Sequence, residues 1–329
     1  MTDSTYKEPV SKLLTYGSCL EIDKRTSAEN KRRIQEMTAS KSGSVDFGLL
    51  SQLKSGSKPT RWPNYVQEFS LSAADIPALI QMVTDKDLNW ASGESTEVWA
   101  PTHAWRALGQ LRAESAVDTL IGLLVNEEDD WVLEEIPWVL GLIGEAAIAP
   151  ASLFLASRGK NEWGRIAAAR ALENVAELHP ELKERCIDRL ASQLTDYNHN
   201  PETVNGFLIS NLVELKAASK ADLIERAFAS GNVDESIVGH WAPVKIQLGL
   251  ATREDFSEEE LAPTFEWVRE TDPSPKPSAL DLGLPLKRSK RKKGSKSKGD
   301  KKPDTKASKG FGMAPAEASK LSKSKKKRR

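Results

Sequence analysis

Tryptophan returns at a fixed interval in this chain. Trp99, Trp131 and Trp163 stand 32 residues apart, and each heads the same apolar pattern. After Trp99, residues Ala104, Ala107, Leu108 and Leu111 fall at i, i+3, i+4 and i+7, the spacing that lines one face of a helix. The next copy holds Ile136, Val139, Leu140 and Ile143, and the third holds Ala168, Ala171, Leu172 and Val175. A fourth copy, 40 residues further on, reads Leu208, Asn211, Leu212 and Leu215, with one polar residue and no matching tryptophan. A unit this short cannot bury its apolar face alone, so the interval demands stacking of unit on unit.

Each copy is followed by a second apolar segment: residues 116–125, 146–156, 183–194 and 220–228. The units therefore read as helical hairpins. A half-copy at 74–83 extends the array back to about Trp62. The expected fold is all-α: an α-solenoid over residues 62–250. Around it stand an N-terminal helical cap (1–61), a capping helix (251–273) and a disordered Lys-rich tail (274–329). Thr26 with Glu29 suggests a capping box for an N-terminal helix, and Ser257 followed by three glutamates suggests the start of the last one.

The segments RIAAARALENV (165–175) and WRALGQLRAESAVDTLIGLL (105–124) resemble the HEAT-like repeats first named from phycobilisome lyases. Those follow the pattern V-R-x-x-A-x-x-A-L-G, a short turn, then A-V-x-x-L-I-x-L-L. The resemblance spans about residues 62–250 and implies an α-solenoid. For function it implies only a range, since such repeats serve lyases, scaffolds, transport factors and nucleic-acid repair proteins. The arginine of the pattern is present as Arg165, while Pro101 and Leu133 take its place in the other two copies.

The charge totals, 47 basic and 47 acidic residues, hide a division. Residues 287–329 hold 19 Lys or Arg against three acids, a net charge of +16, which leaves −16 over residues 1–286. The basic runs Lys287, Arg288, Lys290, Arg291, Lys292 and Lys293, and Lys325, Lys326, Lys327, Arg328 and Arg329, are candidate contacts to RNA, DNA or an acidic partner through counterion release. Two cysteines, Cys19 and Cys186, are too few for a zinc site and fit a reducing compartment. The N-terminus has no apolar secretion segment, and no run of residues is long and apolar enough to span a bilayer. A soluble cytoplasmic chain with no membrane partner is expected, or a nuclear one if the basic runs act as a eukaryotic import signal.

Candidate partner-binding residues gather where the first helices begin. Trp99, Trp131 and Trp163 would form a row along one edge, either packed on the preceding turn or partly exposed as anchors for a protein partner. Beside them lie Glu127, Glu128, Asp129, Asp130, Glu134 and Glu135. Acids suit helix N-termini, and in a stacked array the same preference builds a negative ridge. His103, one turn after Trp99, is either an ordinary packed histidine or a ligand contact. The sequence contains no GxxxxGK[ST], GxSxG or HExxH motif. The expected function is a binding scaffold with no catalytic residues, metal or cofactor. The alternative is a lyase or chaperone subunit for a pigment or other small ligand, with His103 and the tryptophans lining its groove.

Overall fold

The computed structural model describes residues 5–39, 62–125, 130–262 and 282–284. Among these residues every regular element is helical. The chain divides into two units, Met1–Leu286 and Lys287–Arg329; the second lies wholly outside the described residues. No helix among the described residues is long and apolar enough to cross a membrane.

A 3-10 turn, Val10–Thr15, precedes α1 (Cys19–Ala39). Then come the short α2 (Tyr65–Glu68), α3 (Ile76–Val83) and the single turn α4 (Lys86–Asn89). The repeats follow as pairs: α5 (Ala100–Gln110) with α6 (Val117–Leu123), α7 (Asp130–Ile143) with α8 (Glu145–Ala156), α9 (Glu162–Leu178) with α10 (Lys183–Leu194), and α11 (Glu202–Glu214) with α12 (Ala221–Ala229). Beyond them lie α13 (Glu235–Val238) and α14 (Trp241–Gln247). The first helices pack in succession, α5 on α7, α7 on α9 and α9 on α11. The second helices form another succession, α6 on α8, α8 on α10, α10 on α12 and α12 on α14.

The shared template explains this packing. Leu108, Leu140 and Leu172, equivalent by sequence, are all fully buried, as are Leu208 and Leu212. Close approach of neighbouring first helices rests on glycine. A Cβ on Gly109 would lie 3.1 Å from Leu142, and one on Gly141 would lie 2.8 Å from the Cβ of Asn174. Asn211, the polar residue of the fourth copy, is buried and meets buried Glu173 of α9, its amide nitrogen 3.0 Å from Oε2 once oriented to donate. A buried polar residue needs such a partner.

Turns inside and between the hairpins are closed by specific chemistry. At the ends of α5 and α11 the chain turns through Arg112 (φ 52°) and Lys216 (φ 53°), while Gly144 (φ 92°) serves at the end of α7. Ala113 N–H then donates to the Leu108 carbonyl and Ala217 N–H to that of Leu212, bonds that satisfy carbonyls left over at a helix C-terminus. Between hairpins, asparagine side chains act as the fasteners. Asn161 caps α9, accepting from Gly164 N–H, and donates to the carbonyls of Leu124 and Val125. Asn205, fully buried, donates to the carbonyls of Tyr197 and Asn232, and its own oxygen accepts from Asn200.

Two boundaries differ from the sequence expectation. α1 begins at Cys19, so Thr26 lies inside the helix and forms no cap. Cys19, Ile22 and Asp23, at i, i+3 and i+4, are buried, and that burial sets the start of the helix earlier than the Thr26–Glu29 signal. The tail drawn from residue 274 includes a docked segment, because Leu282 is 1% exposed and belongs to the core. Ser257 and Glu260 do make the reciprocal bonds of a capping box, and residues 263–273 of the capping helix expected there lie outside the described residues.

Candidate functional site

The first repeat helix is buried along its whole length, from Ala100 to Gln110. Its apolar residues face the hairpins. His103, Arg106 and Gln110, spaced i, i+3 and i+7, form a polar stripe that meets segments from outside the repeats. The His103 Nε2–H donates to the Gly17 carbonyl at 2.9 Å, and Nδ1 accepts from the Tyr65 hydroxyl at 2.8 Å. Cys19 Sγ lies 3.5 Å from the same Nδ1. Burial pushes His103 down to about 4, so the ring is neutral, as its two hydrogen bonds require. Burial raises the Cys19 thiol well above its ordinary range. This contact is therefore a thiol packed on a neutral imidazole, without the thiolate that nucleophilic chemistry needs.

Arg106 is fully enclosed. Nη1 and Nη2 donate to the two carboxylate oxygens of Asp23 at 2.9 and 3.0 Å, and Nε and Nη2 donate to Glu135. The guanidinium also lies 4.9 Å from the Trp62 ring centroid, and Trp105 Nε1–H donates to Glu135 at 2.9 Å. Burial raises Asp23 to about 6, a shift that the charge of Arg106 partly offsets. A bidentate arginine between two buried carboxylates satisfies nearly every polar atom in the cluster. Two of the sequence candidates therefore change role. His103 and Glu135 are interior, 0% and 7% exposed, and offer nothing to a partner. The sequence placed them by the period of the repeat alone, without the segments that cover α5. His103 lines no groove, which removes the support it lent to a small-ligand lyase.

The remaining candidates do assemble into an edge. The rings of Trp99 and Trp131 meet edge-on with centroids 5.4 Å apart, and Trp163 meets Phe207 of α11 at 6.2 Å. Trp99 and Trp131 are half-buried, whereas Trp163 keeps 50% of its surface in solvent. The row is thus packed at one end and exposed at the other. Val125, also exposed, accepts through its carbonyl from Asn161, the residue that caps α9 two positions before Trp163. α4 packs on the turn Thr96–Trp99, which brings Trp90, 88% exposed, to the same end of the first helices. Glu97, Asp130 and Glu134 are exposed along this edge, and Glu127, Glu128 and Asp129 lie outside the described residues.

Sequence reasoning missed Trp138, half-buried on α7. Trp131, Glu134 and Trp138 stand at i, i+3 and i+7, so the available signal was the helical spacing itself. A separate pocket of about 410 Å³ at the far end has Glu202, Phe228, Val233 and Asp234 among its walls, a mixed polar lining that none of the sequence candidates joins. The basic residues of 287–329 lie outside the described residues. Comparison with family models, with curated proteins and with solved structures returned no match.

Proposed function

We propose that this chain is a binding scaffold without catalytic activity: an α-solenoid of HEAT-like hairpins that holds a protein partner along its tryptophan edge. The two successions of helices and the 32-residue template support the solenoid reading. The observation that carries the binding reading is Trp163, a large ring left half in solvent, with Asp130 and Glu134 exposed along the row of tryptophans. Exposed tryptophan among carboxylates suits a Lys- or Arg-bearing segment, whose cationic heads pair with the acids and stack on the rings while its aliphatic stems cover apolar surface. The Lys-rich residues 287–329 would add nucleic-acid contact by counterion release, with affinity falling steeply as salt rises.

Fluorescence anisotropy with a panel of extended Lys/Arg peptides tests the edge. Wild type should bind, while Trp163→Ala and the double reversal Asp130→Lys with Glu134→Lys should each weaken binding about ten-fold or more, in the range of an interface hot spot. Asp118→Lys is the control, an exposed acid in the first turn of α6. Equal binding by all four proteins would remove the edge from the function. For the basic residues, deletion of 287–329 should abolish salt-dependent RNA and DNA binding, and retained binding would place that contact elsewhere.

A further inference from the structure

Gln110 marks how the succession of first helices ends. In the repeats, Gly109 admits Leu142 and Gly141 admits Asn174. Leu142 and Asn174 hold, 32 and 64 residues on, the place in their units that Gln110 holds in its own. Among the described residues no first helix of a repeat precedes α5, only the half-copy helix α3. The glycine that meets Gln110 is instead Gly283, from the far end of the chain. A Cβ there would overlap Gln110 Nε2 and come within 2.5 Å of the Pro63 carbonyl oxygen. Gly283 also turns through φ +80°, a region that side chains rarely adopt. The Gln110 amide joins the segments around it. Nε2 donates to the carbonyls of Pro63 and Leu282, each at 2.8 Å, and Oε1 accepts from Tyr65 N–H at 2.8 Å. Leu282 is 1% exposed, and Leu284 packs on the core from the other side of the glycine.

The contact is therefore specific at each of three positions: an apolar anchor whose carbonyl meets Gln110, a residue without a side chain, and a second apolar residue. We infer that the end of α5 is a recognition slot for a Leu-Gly-Leu segment. Residues 282–284 occupy it as a strap in place of the missing helix, and the same segment from a second copy of this chain can replace them. Two leucines and one amide hydrogen bond make a small contact. The covalent tether keeps it closed by supplying the strap at high effective concentration.

A fluorescein-labelled peptide, ALDLGLPLK (residues 279–287), tests the slot on the full-length chain. Gly283→Ala lifts the strap, so this variant should bind the peptide at least about ten-fold more tightly than wild type, whose slot is filled by its own chain. The same peptide carrying alanine at the glycine should bind neither protein. Hydrogen exchange at the Tyr65 amide should quicken in Gly283→Ala and slow again when peptide is added. Gly231→Ala controls for backbone strain, since it has φ +73° and no neighbour within 4 Å of an added Cβ; it should leave peptide binding at the wild-type level. If Gly283→Ala does not fold, Leu282→Ala removes the anchor without a clash and should bind the peptide more tightly than wild type. Failure of every folded variant to bind the peptide, or equal binding of the alanine peptide, overturns the inference.

Discussion

Arg106 and Arg170 occupy the same register of the repeat, 64 residues apart, yet one is fully enclosed and the other half-buried. Their helices follow one template and present the same face. The difference comes from outside the repeats: residues 10–23, 62–69 and 282–284 gather over α5, where Asp23, Trp62 and Tyr65 complete the surroundings of Arg106. Register therefore fixes where a side chain points, and the covering segments fix what it does there. At the covered end a charged stripe becomes the interior of a cap. Along the helices beyond it, aromatic and acidic residues keep their surface in solvent.

The sharpest way to break this contrast is to truncate both arginines. Arg106→Ala leaves two buried carboxylates without their cation and should destabilise the chain by about 3–5 kcal/mol in urea unfolding. Arg170→Ala should change stability by roughly 0.5 kcal/mol or less, as for a surface substitution. Equal losses would mean that the cap adds nothing to the burial of Arg106.

Titration separates two groups within the covered end. Asp23 has a folded pKa of about 6 against 3.8, so its contribution to stability is complete below pH 3.8 and is lost as pH rises through 6. His103 has a folded pKa of about 4 against 6.5, so its contribution is complete above pH 6.5 and is lost as pH falls through 4. Each shift corresponds to about 3 kcal/mol, and between pH 4 and 6 the two nearly cancel. Relative to wild type, His103→Asn should gain stability as pH falls from 6 to 4, and Asp23→Asn should lose it over the same window. Urea midpoints at half-unit pH steps read the two slopes, and parallel curves would show that neither group titrates in the cap.

Between the two ends lie the asparagine turns. Asn205→Ala strips the half-buried carbonyls of Tyr197 and Asn232 of a donor and should cost about 1–3 kcal/mol, with faster hydrogen exchange confined to the neighbouring turns. A smaller effect, of opposite sign, is expected at the end of α5, where Arg112 holds a left-handed conformation. Arg112→Gly should stabilise by about 1 kcal/mol, seen as a raised thermal midpoint, and Gly144, its equivalent 32 residues on, already has that residue.

Much of this fold was legible in the sequence. The paired helices, the burial of Leu108, Leu140 and Leu172, and the meeting of Trp99 with Trp131 all follow from a local period, because side chains three and four residues apart share a helical face whatever surrounds them. The exposed candidates Asp130, Glu134 and Trp163 were legible in the same way. His103 and Glu135 were not, since their burial depends on Gly17, Tyr65 and Arg106, and the contacts that enclose them have no period. Leu282 reaches Gln110 across 172 residues. Such docking depends on complementary shape and on every buried polar atom finding a partner, conditions that only the assembled chain can meet. Sequence alone determined the repeat and its register; tertiary structure decided which polar face of that register became interior.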